Sequence, residues 1–354
     1  MILTYIIKHN RDYSRELVLA KKIADFAIKT KTNTSKDVKH IGLPSAIANQ
    51  ILRKYRRIDI KNTSSVKLTI PGQGIKFDPN SKTAEISCLK LILNCKYIPT
   101  FQKIRQIEIG TEFAYLSVDL PEIPTISVSR FIGVDCNTTG HSAVVAIPHT
   151  GKIYKLGKSA IHTHTKYKSM RKNLQKKNKY SLLKQIKNRE SRIIKNINHH
   201  ISKKLVEIAT SESCGIRFEN LTGIRKNKKY AKSFRYSLNS WSYYQLQKFT
   251  EYKAKKHGIE IAYVAPAYTS QTCSRCGSLG DRINKKFQCV KCGHADHADV
   301  NASFNIGNPI FADILEKSNC TGQSYKESDL YEGSTDTSKT AILKMMETVK
   351  PLIL

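Results

Sequence analysis

Four cysteines in one short stretch are the densest chemistry in the chain. In TCSRCGSLGDRINKKFQCVKCGH, Cys273, Cys276, Cys289 and Cys292 form two CxxC knuckles separated by twelve residues. Each CxxC turn directs two thiolates to one point, and Gly277 and Gly293 directly follow the second cysteine of each pair. Four thiolates complete a tetrahedron, so a zinc ion held there has no open coordination position and is structural. The plainer alternative is two reduced pairs, or a redox pair, without metal. Paired knuckles at this spacing favour the zinc reading far more than a lone CxxC would. Cys88, Cys95, Cys136, Cys214 and Cys320 have no such pairing and read as small core or surface residues. An odd total of nine cysteines, with no export signal, argues against a disulfide framework.

Three acids offer a second kind of chemistry. Asp135 ends the apolar run FIGVD, Glu219 ends GIRFE, and Asp299 opens the helical pattern DVNASFNI just after the second knuckle. Taken singly, each has a bland role: a turn residue, a strand-end surface charge, a helix N-cap. Brought together, they would need cations between them, because like charges at close range cannot all ionise otherwise. Two Mg²⁺ ions held about 4 Å apart by such a cluster stabilise both the attacking water and the leaving oxygen of a phosphodiester displacement. That chemistry is a nuclease.

The charge balance names the partner. Sixty Lys and Arg against 28 Asp and Glu give a formal charge of +32, which points to a polyanion, hence nucleic acid. A solvated basic surface is the alternative, and the distribution of charge argues against it. Residues 162–204 contain Glu190 as their only acid, where a free-standing surface helix would interleave charges. Lys172, Lys176, Lys177 and Lys179 in this run fit phosphate contacts, as do Arg225, Lys228, Lys229 and Arg235 in RKNKKYAKSFRY. Tyr230, Phe234 and Tyr236 could stack on unpaired bases or pack in a core. No apolar run approaches the roughly 20 residues of a membrane span, and the N-terminal segment is too charged for a secretory signal. The expectation is a cytoplasmic protein, nucleoid-associated when bound to DNA, with no membrane partner.

The elements that must position these groups read as an α+β chain. Residues 1–126 alternate a strand (ILTYIIKHN), two helices and short β-branched runs broken by turns, the pattern of a small β-barrel or sandwich combined with helices in one mixed domain. From residue 127 to 308 come three strands (ISVSRFIGVDCN, HSAVVAIPH, GKIYKLG), a basic helical insertion over 162–213, the strand CGIRFENL, a helix entered near Asn239 or Ser240, and the strand IEIAYVAPAYTS. Three antiparallel strands followed by alternating helix and strand describe an RNase H-like sheet, interrupted late by a zinc ribbon over 270–295. Residues 309–354 are polar and turn-rich and read as disordered.

GVDCN, RFENLTGIR, the paired knuckles and HADVNASFNI, in this order, resemble the RuvC-type nuclease domain of the TnpB family, also called OrfB: transposon-associated, RNA-guided DNA endonucleases. The resemblance covers about residues 127–307 by motif and extends to the N-terminal region by layout. It implies that Asp135, Glu219 and Asp299 are the catalytic triad and hold two catalytic Mg²⁺, and that Cys273, Cys276, Cys289 and Cys292 hold one structural Zn²⁺. Asp296 is the rival acid, and the DxNA pattern places the ligand at Asp299, with Asn301 on the next turn. The resemblance further implies a noncoding guide RNA, a double-stranded DNA target, and a short target-adjacent motif read by the N-terminal domain; the expectation for oligomeric state is one chain per guide RNA. One position departs from the family: Asn137 stands where many members have glycine, and asparagine tolerates the left-handed backbone of such a turn.

Two other functions fit the same residues. A nuclease-inactive, RNA-guided DNA-binding repressor would keep the fold without cutting, and a transposase acting directly on element ends would need end DNA and no guide.

Overall fold

A computed structural model describes residues 1–58, 63–186, 188–223 and 242–308. The chain divides into two compact units, Met1–Glu122 and Ile123 onward. Among the described residues no helix is long and apolar enough to cross a membrane.

In the first unit, β1 (Ile2–Lys8) leads into α1 (Ser14–Thr30), a 3-10 turn and α2 (Ser45–Tyr55). The helical spacing seen in the sequence turns one face of α1 inward, so that Ala20, Ile23, Ala24 and Ala27 are buried. Strands β2 (Leu68–Pro71), β3 (Lys76–Asp78), β4 (Thr83–Ile86), β5 (Leu91–Asn94), β6 (Lys103–Ile109) and β7 (Phe113–Asp119) follow. They pair into a four-stranded sheet, β1-β7-β6-β2, and a three-stranded sheet, β3-β4-β5. Both sheets and both helices share one core around Ile23, Ile51, Leu68, Ile86, Leu93 and Ile107.

The second unit is built on β8 (Phe131–Cys136), β9 (Ala143–Ile147) and β10 (Lys152–Leu156), then β11 (Gly215–Glu219) and β12 (Ile261–Val264). The sheet order is β10-β9-β8-β11-β12: β8, β9 and β10 form the antiparallel meander, while β11 and β12 add in parallel to β8. Parallel strands need a crossover. Three helices supply the one between β10 and β11: α3 (Lys158–Lys176), α4 (Tyr180–Ile186) and α5 (Arg189–Ser211). A fourth, α6 (Tyr243–Lys256), precedes β12 and ends before Gly258, whose φ of 67° no other residue adopts as easily. The helix entry at Asn239 or Ser240 lies outside the described residues, as does the tail from 309.

Strands β8, β9 and β11 are buried along their whole length, as a sheet covered on both faces requires. Ile132, Val134, Ile216 and Phe218 point into the core shared with Leu205 of α5 and Leu246 of α6. The alternate positions, Gly133 and Asp135 on β8 and Arg217 and Glu219 on β11, therefore belong to the other face. There lies α7 (Ala298–Gly307), reached through a small three-stranded sheet of β13 (Asp281–Ile283), β14 (Lys286–Gln288) and β15 (Ala295–His297).

Candidate active site

Parallel pairing brings the first two acids together. The β8 and β11 register matches Arg217 with Gly133 and Phe218 with Val134, so one step further along each strand Glu219 and Asp135 stand side by side on the same face. The third acid comes from α7. His297 caps that helix by accepting the Asp299 N–H at its Nδ1 (3.3 Å), which leaves the Asp299 carboxylate in the first turn rather than spent as a cap. All three side chains are buried.

Burial, then the charges of Glu219 and Asp299, raise the Asp135 carboxyl well above the usual range. Glu219 is pushed up to about 7, chiefly by burial, even though Thr269 donates a hydrogen bond to its Oε1 and Arg282 lies near enough to favour the charged form. Among the described residues, neither acid has enough positive charge beside it to ionise freely. Among the described residues, the cation in closest contact with the site belongs to the third acid: Lys285 Nζ donates to both Asp299 oxygens, at 2.6 and 2.8 Å. Lys285 also donates to Asn137 Oδ1 (3.0 Å), and Asn137 Nδ2 donates to Asp135 Oδ2 (2.9 Å). A cluster of oxygen ligands short of positive charge suits a hard divalent cation.

Asn137 differs from its sequence reading. Its backbone is not left-handed; the positive φ in this turn falls on Gly140, at 73°, and what Asn137 contributes is its amide. Asp296 sits on β15, where Oδ1 accepts the His297 N–H (2.7 Å) and Oδ2 lies 3.9 Å from His294 Nε2.

The four cysteine sulfurs lie within 4.8 Å of one another and could hold a metal ion. Cys273 to Cys292 is 3.7 Å and Cys276 to Cys289 is 3.5 Å. Four sulfurs at zinc–thiolate bond length around one ion would be about 3.8 Å apart. Gly277 (φ 71°) and Gly293 (φ 69°) return N–H groups to the Cys273 and Cys289 carbonyls, closing each knuckle through a left-handed residue. Without a cation four such thiols could not ionise together; burial is the main force that pushes Cys273 up to about 12.

The knuckles and α7 are joined by asparagines. Asn301 Nδ2 donates to the Thr272 carbonyl (2.7 Å) and its Oδ1 accepts the Ser274 N–H (2.9 Å). Asn305 Nδ2 donates to the carbonyls of Thr269 and Thr272, each at 2.7 Å. The segment that carries the first thiolate thus also fixes the helix that carries Asp299. Lys285, Thr269, Asn305 and Gln247, whose Nε2 donates to the Glu219 carbonyl (3.0 Å), are site residues with no distinguishing pattern in the sequence.

Of the basic residues, Lys172 and Lys176 on α3, Lys177 at its end and Lys179 before α4 are all exposed. The one acid of this region is turned inward: Glu190 accepts a hydrogen bond from Arg171 Nη1 and pairs with His164 Nδ1 at 2.6 Å, pinning α3 to α5. The solvent face is left basic. Arg225, Lys228, Lys229 and Arg235, with Tyr230, Phe234 and Tyr236, lie outside the described residues.

Residues 243–306, from α6 to α7, match the family model of the Cas12f1-like TNB domain. The chain is 30% identical over 217 residues to the CRISPR-associated endodeoxyribonuclease Cas12f1 of Sulfoacidibacillus thermotolerans, covering 56% of this chain and 50% of that protein. It is 37% identical over 163 residues to the TnpB-like protein MJ0751 of Methanocaldococcus jannaschii, covering 44% and 57%. The chain therefore spans about half the length of the curated relatives it matches. Its fold is similar to that of the protein in a cryo-EM structure of a Cas12f1-sgRNA-target DNA complex, with a TM-score of 0.56 at 20% identity over 84% of this chain and 82% of that one.

Proposed function

We propose that this chain, which belongs to the TnpB/Cas12f-type family, is an RNA-guided DNA endonuclease of a transposable element that hydrolyses target DNA in a RuvC-type site. The observation that carries the reading is the meeting of Asp135, Glu219 and Asp299 on one buried face, from two parallel strands and a helix far apart in sequence. Structural acids have no reason to gather where burial works against their charged form, as it does for Asp135 and Glu219; acids that serve a cation do.

Asp135, Glu219 and Asp299 would hold two Mg²⁺, which supply charge neutralisation for the attacking and leaving oxygens of the phosphodiester. The chain's own residues do the positioning. Asn137 and Thr269 fix the carboxylates of Asp135 and Glu219 through hydrogen bonds, and Gln247 ties the end of β11 to α6. Cys273, Cys276, Cys289 and Cys292 would hold one Zn²⁺ that keeps the ribbon rigid. Lys172, Lys176, Lys177 and Lys179 would contact the phosphates of guide RNA or its heteroduplex. In the first unit, Asn49, Gln50, Arg53, Gln73 and Arg105 line a polar concavity of about 470 Å³. These are the side-chain types that pair with base edges, which fits the reading of a few duplex base pairs.

The test is to purify the protein from cells carrying its native flanking DNA, sequence any bound RNA, and incubate the complex with matching DNA and Mg²⁺. A discrete RNA, with cleavage that disappears in Asp135→Ala while RNA binding remains, is the expected result. Bound RNA without cutting by the unaltered protein would leave the repressor, and absence of RNA would leave the transposase acting on element ends.

A further inference from the structure

Lys285 occupies an unusual place for a lysine. It lies in the two-residue turn between β13 and β14, after Asn284, whose φ is 56°, and its carbonyl accepts the Ala298 N–H (2.9 Å) at the start of α7. The backbone is thus tied to the helix that bears Asp299, and the side chain returns to the same helix: its ammonium sits 2.6 Å from one Asp299 oxygen and 2.8 Å from the other. Through Asn137 it also reaches Asp135. The Asp299 side chain is 5% exposed and that of Lys285 is 37% exposed, so the lysine enters the site from solvent along a flexible stem.

We propose that Lys285 is a tethered counter-cation of the acidic site, which satisfies Asp299 and, through Asn137, Asp135 when divalent metal is absent, and which must swing out for metal to load. The inference rests on the assignment of these acids as metal ligands. An ammonium and a divalent ion that need the same carboxylate oxygens exclude each other, so each lowers the apparent affinity of the other. The lone pairs an ammonium engages on both oxygens of Asp299 are those an incoming ion would use. A long, mobile stem suits lysine to this exchange, since the ammonium can vacate the site without moving the β13–β14 turn, whose backbone stays bonded to Ala298.

The experiment measures Mn²⁺ binding to the full-length, zinc-loaded chain by electron paramagnetic resonance, in the unaltered protein and in Lys285→Gln, Lys285→Arg and Asn137→Gly. Lys285→Gln is expected to bind Mn²⁺ about tenfold more tightly. Lys285→Arg, which keeps the charge, should stay near the unaltered protein, and Asn137→Gly, which frees the ammonium from its second anchor, should fall between. If Lys285→Gln does not fold, the Asn137→Gly variant carries the test alone. Mn²⁺ affinity that is unchanged or weaker in Lys285→Gln and Asn137→Gly overturns the proposal while leaving the metal site in place, provided Asp135→Ala still abolishes binding. Mn²⁺ binding indifferent to Asp135→Ala overturns the metal-site assignment itself, and the counter-cation with it.

Discussion

Gly133 on β8 and Gly307 at the end of α7 face each other so closely that neither position has room for a side chain. A Cβ on Gly133 would overlap the Ser303 carbonyl oxygen and the Gly307 amide nitrogen, and a Cβ on Gly307 would come 2.8 Å from the Gly133 amide nitrogen. This backbone-on-backbone approach sets how deeply α7 lies on the sheet. It therefore sets the distance between Asp135, two residues beyond Gly133, and Asp299 in the first turn of the helix.

Gly133→Ala should consequently damage the site more than the fold. Overpacking typically costs about 1–3 kcal/mol, and more where the clash is with backbone rather than with a side chain that can turn away, so the helix must lift by about the width of a methyl group. The expected result is a folded protein with a lowered melting temperature and cleavage reduced by at least about 10²-fold, since a displacement of about 1 Å at a catalytic group has that effect. Gly110→Ala is the control, because a Cβ there meets its nearest atom at 3.5 Å. Melting curves and single-turnover cleavage, run side by side, separate the two effects. Equal cleavage by both variants would show that the glycine contact does not position Asp299.

Much of this site is legible in the sequence because its acids end apolar runs. FIGVD and GIRFE each read as a strand that stops at a carboxylate, and three antiparallel strands followed by alternating helix and strand read as an RNase H-like sheet, whereas the order β10-β9-β8-β11-β12 comes only with the structure. The knuckles are legible from spacing alone. What cannot be read is tertiary. Lys285 is one of 60 Lys and Arg, and nothing in GDRINKKFQC separates it from its neighbours; only the turn after Asn284 aims it at Asp299. Asn137 has the composition of a turn-former, yet the turn takes its left-handed residue at Gly140 and uses the asparagine as a bridge. Strand β6 is hard to see for another reason: KIRQIEI puts charged or polar groups on every outward position and carries a register shift between Ile104 and Gln106.

Loss of one zinc ligand should travel to the acids. Cys276→Ser breaks the tetrahedral set, and structural zinc binding is coupled to folding of the segment that provides it. Because Asn301 and Asn305 hang α7 on the backbone of Thr269, Thr272 and Ser274, a loosened knuckle also loosens Asp299. The variant should hold less than one zinc per chain by atomic absorption, melt several degrees lower, and bind Mn²⁺ more weakly although no carboxylate has changed. Unaltered zinc content and melting temperature would refute the zinc assignment.

The exposed lysines should reveal themselves in salt dependence rather than in stability. Changing Lys172, Lys176, Lys177 and Lys179 together to Gln removes four candidate phosphate contacts from α3 and the turn that follows, none of them in a core. Each phosphate contact contributes about 0.7 to 0.9 to the slope of log K against log salt, so the slope for guide RNA binding should shrink by about 3. Fluorescence anisotropy over a salt series measures this, with melting temperature unchanged. A parallel drop in affinity at all salt concentrations, with the slope preserved, would mean that these lysines do not touch phosphate.

Lys253 supplies a test of pH dependence away from the acids. Its ammonium donates to the His199 carbonyl and to Ser202 Oγ, each at 2.6 Å, across the contact between α6 and α5. Burial, with some repulsion from Lys203, lowers its pKa to about 8 from an ordinary 10.5. The folded chain therefore holds this proton less tightly than the unfolded chain does. Between pH 8 and 10.5 the unfolded state binds more protons at this position, so its contribution to stability rises with pH across that window and is flat below pH 8. Lys253→Met removes the contribution. The difference in unfolding free energy between the unaltered protein and the variant, from urea titrations at a series of pH values, should grow in favour of the unaltered protein from pH 8 upward. Tyrosines that titrate in the same range cancel in that difference. A difference that does not change with pH would mean that Lys253 remains as well solvated in the folded chain as in the unfolded one, and that its two hydrogen bonds, not its burial, govern its charge.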